Sequence, residues 1–176
     1  MVRQQLRAAT AADHDALETA MPLASPAPTR VDYERHLALL ESVYAPVEAR
    51  IAPLLPGELR TWAKAPLLAA DLADLAARRL PPAELGGFED TAAFALGCFY
   101  VLEGATLGGA VIRRRLAAGT DWFAAVPSRF LDVPTRRWPR LLEVLEREAA
   151  SAADEAERGA RATFAALRAQ AEAAAW

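Results

Sequence analysis

A histidine, an arginine and a run of glycines are the residues of this chain whose types and spacing suit chemistry. In "LRAATAADHDALETAM", His14 lies close to the face that carries Leu6, Thr10, Leu17 and Met21. Arg7 precedes it by seven residues, about two helical turns or ~10 Å and about 20° round. A neutral imidazole with a cation at that distance suits a ligand with a metal centre and an anionic edge. A lone histidine in such a place more often serves as a core-boundary residue bonded to backbone. His36 has a similar boundary position on the next helix, with no such constellation around it, and reads as structural.

The second feature is "FYVLEGATLGGAVIRRR", from Phe99 to Arg115, which is too apolar for a surface helix and too rich in glycine for a core one. Each helical glycine costs roughly 0.5–1 kcal/mol relative to alanine. At about 100° per residue, Gly97, Gly104 and Gly108 fall on one side within about 40°, and Gly97 to Gly108 spans about 16 Å. Ala93 and Ala105 border this stripe, and Tyr100 sits one turn before Gly104. Two uses fit a bald stripe. One is close packing of two helices, and the other is a flat ligand lying against exposed backbone.

These residues need helices to carry them, and the apolar spacing is helical almost throughout, without a convincing period-2 run. Helices are expected over 2–20, 31–51 (capped by Thr29 or Asp32 and bent at Pro46), about 58–63, 66–79, 90–118, 136–148 and 151–173. The Pro-rich "MPLASPAPTR" and "RRLPPAELGGFED" read as connectors, and 119–135 as irregular. The expectation is one all-α domain over residues 1–176, a bundle of about seven or eight helices. Residues 91–112 hold a single charge, Glu103, and are followed by three arginines, which also resembles a membrane span. A charge in mid-span and amphipathic neighbours favour a buried central helix of a soluble bundle, with no membrane insertion.

Composition narrows the rest. The net charge of −3 gives no reason to expect nucleic-acid binding. One cysteine, Cys98, excludes an internal disulfide and a cysteine metal cluster. Two histidines without a repeated Glu-x-x-His pattern fit a di-iron site poorly, and neither a phosphate loop nor a nucleophile elbow is present. The start "MVRQQLRAAT" lacks an apolar signal core, so a cytoplasmic protein is expected. Basic residues are nearly all arginine, with Lys64 the only lysine.

Taken together, the segments resemble the haem oxygenases, especially the short bacterial ones. "LRAATAADHDALE" is similar to that family's proximal-helix pattern, "YVLEGATLGGAVI" to its distal-helix pattern, and "ARATFAALRA" to its last-helix segment. The resemblance covers nearly the whole chain and implies a haem oxygenase-like helical fold. It implies oxidative cleavage of haem to biliverdin, CO and Fe2+ with O2 and external electrons, haem being both substrate and prosthetic group. By the same resemblance His14 is the iron ligand, and Gly104, Ala105, Gly108 and Gly109 form the distal wall. Arg7 and Tyr100 hold the propionates, Glu18 orients the ligand, and one of Arg136, Arg137 and Arg140 is a further propionate contact. Implied partners are an electron donor such as a ferredoxin, flavodoxin or reductase, and a phytochrome as bilin acceptor. Ala105 stands where the bacterial pattern has serine, and Ala110 where glutamine is frequent. The lost hydroxyl removes a handle for proton delivery, so the alternative is a haem-binding or haem-sensing relative without turnover.

Overall fold

A computed structural model describes residues 1–174, and all their regular structure is helical. The described residues form α1 (Val2–Ala20), α2 (Arg30–Ile51), a single turn α3 (Gly57–Arg60), α4 (Ala65–Asp74), α5 (Ala92–Gly119), α6 (Arg137–Glu148) and α7 (Ala153–Ala173). Six of these are helices of ten residues or more, so the expected count of seven or eight is reached only by including the α3 turn. The segment expected to be helical over 66–79 stops at Asp74. There Ala76 enters the left-handed region with φ 51°. The Ala77 amide then bonds the Leu72 carbonyl and the Ala76 amide bonds that of Ala73, the paired bonds of a Schellman ending.

Local chemistry sets the other boundaries. Thr29 caps α2 by accepting from the Asp32 amide, while Asp32 accepts from the Thr29 amide in return. Thr91 caps α5 by accepting from the Phe94 amide. Lys64 at the start of α4 offers no capping oxygen. Glu48 reaches across from α2 instead, accepting from the Lys64 and Ala65 amides at 2.8 and 2.9 Å. The irregular segment after α5 is fixed by two buried groups. Asp71 accepts from the Phe130 amide and the Arg129 guanidinium, and Tyr33 donates to the Pro127 carbonyl.

The core is built on α5, which packs chiefly against α7, with α2, α6 and the 127–133 segment on other sides. α5 and α7 meet backbone to backbone. A methyl group on Gly97 would lie 1.8 Å from the Ala156 carbonyl oxygen, and one on Gly159 would lie 2.1 Å from that of Phe94. Only glycine permits this approach. The Cys98 thiol donates to the Gly159 carbonyl, and burial pushes it up to about 12. α5 is long and apolar enough to cross a membrane, and more than half of its most apolar stretch is buried inside the fold.

α1 lies on α7 and α6 rather than on α5. Its start is held by the Val2 and Arg3 amides donating to Glu146, and by Gln5 donating to Asp154 and Glu157. Val2, Leu6 and Thr10 are buried; beyond Thr10 no residue of α1 is.

Candidate functional site

The glycine stripe of α5 divides between two uses. Gly97 is consumed by the α7 contact, and a methyl on Gly109 would meet the Leu131 side chain at 3.3 Å. Gly108 is different: a methyl there would meet nothing within 4 Å. One on Gly104 would touch only the edge of the Trp138 ring, at 3.5 Å. Leu107 and Val111 beside them are exposed, 38% and 56%, which is unusual for large apolar groups on a core helix. Packing therefore accounts for Gly97 and Gly109, and leaves Gly104 and Gly108 as bare backbone on an open apolar face. Ala105, next to Gly104, is half-buried against the core.

Tyr100, one turn before Gly104, is half-buried and packs its ring 5.1 Å from Trp138 of α6. Burial pushes its phenol up, while Arg3 and Arg7 of α1 pull it down. The structure thus gathers Arg7, Tyr100 and Gly104, with Trp138 between the last two. It adds Arg3, one turn before Arg7, which the sequence analysis did not single out. The i, i+4 spacing of two arginines on α1 was the available signal. Neither has an acidic partner among the described residues.

His14 stands at the far end of the same helix. Its side chain is 58% exposed, and its ring meets the Phe164 ring of α7 edge-on at 6.3 Å. Asp15 and Glu18 carboxylates lie 3.8 Å from Nδ1 and Nε2, beyond hydrogen-bond length. The ligand atoms of these three residues lie within 4.8 Å of one another, all exposed. The imidazole is therefore uncommitted to any structural hydrogen bond. His36 is the reverse. It is buried rather than at a boundary, with Nδ1 unpartnered, and burial together with nearby Arg115 lowers it to about 4.

The three arginines near α6 separate clearly. Arg140 is tied to Glu58 and Glu143. Arg137 lies 5.5 Å over the Trp62 ring. Arg136 is exposed without an acidic partner among the described residues.

A buried polar cluster lies behind α5, on the side away from Gly104. Lys64 is fully buried, with Nζ 2.9 Å from Glu103 Oε2, and donates to Thr106 Oγ1 and the Leu102 carbonyl. Burial draws the Lys64 ammonium down, and Glu103 opposes the shift. The mid-helix charge of α5 is thereby paired. Its partner is the lone lysine of a chain that otherwise uses arginine, a signal left unused in the sequence. A compact ammonium fits where a planar guanidinium would not.

No protein-family model matches the chain, and no curated protein matches it either.

Proposed function

We propose that the protein is a haem oxygenase, cleaving haem to biliverdin, CO and Fe2+ with O2 and electrons from a separate donor. The observation that carries this reading is Gly108: bare helical backbone with open space above it, on an apolar face that packing leaves unused. The motif resemblance of α1, α5 and α7 supplies the chemical class. The residues present fit the group. An uncommitted imidazole suits an iron ligand, and two cations without acidic partners stand beside a phenol that can meet carboxylates.

Haem, when bound, supplies the iron at which O2 is activated and the ring that is cleaved. The chain positions it. His14 offers a ring nitrogen, and the Glu18 carboxylate, one turn on and 3.8 Å from Nε2, stands where it can orient the ligand through water. Arg3 and Arg7 neutralise the propionates and Tyr100 donates a hydrogen bond to them, with Arg136 as a further cation. Gly104 and Gly108 leave the distal face without side chains, while Leu107 and Val111 exclude water around it. At Gly109 a side chain would crowd Leu131, so glycine there lets that residue pack close behind this wall. A ferredoxin, flavodoxin or reductase as electron donor, a phytochrome as bilin acceptor and a cytoplasmic, non-inserted bundle belong to the same reading.

Ala105 favours a second reading, a haem-binding relative without turnover, because no hydroxyl stands there to pass protons. One experiment separates the two. Hemin titrated into the protein gives a one-to-one complex with a Soret band, altered in His14→Ala. Reductant and air then bleach the band and yield biliverdin if the protein is an oxygenase. A stable ferrous-oxy complex without bilin identifies the binding protein, and a failure to bind hemin removes both.

A further inference from the structure

The Leu102 carbonyl of α5 accepts from two buried side chains besides its place in the helical ladder. Lys64 Nζ donates to it at 2.6 Å and Tyr44 Oη at 2.8 Å, both from buried side chains. In a regular helix the same oxygen also accepts from the amide four residues on, here Thr106. A carbonyl oxygen has two lone pairs. The ammonium bond is charge-assisted and lies where solvent cannot replace it, so competition among the three would fall on the helical bond. The turn closed by that bond contains Gly104, whose intrinsic helix preference is among the poorest.

We propose that Lys64 and Tyr44 form a clamp that loosens the α5 hydrogen-bond ladder at the Gly104 turn, making this turn the point at which the open face bends. Both donors are held for the task. Lys64 is fixed at its backbone by Glu48, which accepts from its amide, and at its ammonium by Glu103 and Thr106. Tyr44 is buried on α2, with its ring edge-on to Phe130. Helices bend where a side chain competes for the ladder or a glycine interrupts it, and here both coincide. Tyr44 and Lys64 are positioning residues. They act on the backbone of Gly104 from the side opposite the open face. Their effect on a bound haem rests on the reading above, whereas their effect on the helix does not.

The test is amide hydrogen exchange, followed residue by residue on the ligand-free protein. In the wild type the Thr106 amide exchanges faster than that of Val101, by about tenfold. Tyr44→Phe removes one donor without changing shape and slows Thr106 by several-fold, leaving the Cys98 amide as it was. Lys64→Met combined with Glu103→Leu, which removes both charges together, slows it further. A merely structural role predicts the opposite sign, since losing a buried bond speeds exchange. Equal protection of Thr106 and Val101 in the wild type overturns the proposal. So does a Tyr44→Phe protein in which Thr106 is unchanged, or exchanges faster together with Cys98. With hemin bound, Tyr44→Phe also shifts azide affinity several-fold. If hemin does not bind, the haem reading fails while the exchange result still decides the clamp.

Discussion

A methyl group added to Gly97 would sit 1.8 Å from the carbonyl oxygen of Ala156, whereas one added to Gly108, three turns along the same helix, would touch nothing within 4 Å. Gly97→Ala therefore forces α5 and α7 apart and lowers stability by about 3 kcal/mol or more. Gly108→Ala raises it by about 0.5–1 kcal/mol, the helix-propensity gain at an unobstructed site. Chemical denaturation of the ligand-free proteins measures both. Gly108→Leu, which fills the open face, abolishes hemin binding while the protein stays folded.

Arg7 and Arg140 test which cations are available to a ligand. Arg140 is occupied by Glu58 and Glu143, while Arg7 has no acidic partner among the described residues. Arg7→Ala weakens hemin binding by about tenfold, the effect of one charge-assisted hydrogen bond. Arg140→Ala leaves it unchanged. Equilibrium titration at fixed ionic strength compares them.

His36 makes the fold acid-sensitive. Burial, aided by Arg115, lowers the folded imidazole from 6.5 to about 4, so the folded state holds it neutral where the unfolded chain is already protonated. The contribution is full above pH 6.5 and is lost as pH falls from there toward 4, reaching on the order of 2–3 kcal/mol near its lower end. In His36→Leu this part of the acid dependence disappears. Urea denaturation at neutral pH and near pH 4.5 shows a smaller difference in the variant than in the wild type.

Ala76 takes a left-handed conformation that glycine adopts without strain. Ala76→Gly keeps the α4 ending and stabilises the fold by about 0.5–1 kcal/mol, the relieved strain exceeding the added entropy of the unfolded chain. Thermal unfolding detects it as a rise of a few degrees.

Helical periodicity carried much of the architecture. α1, α2, α5, α6 and α7 lie within a few residues of where apolar spacing and caps place them. The end of α4 was not legible, because a Schellman ending on alanine lacks the glycine that announces one. Within the site, periodicity put Gly97, Gly104 and Gly108 on one face but could not tell which turns a neighbouring helix covers. That depends on where α7 crosses α5, a matter of packing between distant segments. Lys64 and Glu103 escaped for the same reason. Each was visible as an oddity, the only lysine and the only charge of an apolar run, yet nothing local pairs them.

α1 is buried along one side over its first turns and only partly covered over its last, where Leu17 rests on the core and Asp13 pairs with Arg168, and this part carries His14. Few buried contacts mean that residues 11–20 open at lower free energy than the rest of the bundle. On the haem reading, a ligand held by His14 would further restrict this segment, and part of the interaction energy would offset the lost chain entropy. A measured dissociation constant would, on that reading, understate the strength of the bond at His14. On the same reading, release would follow the fraying of a helix end as much as the breaking of that bond, leaving the core undisturbed.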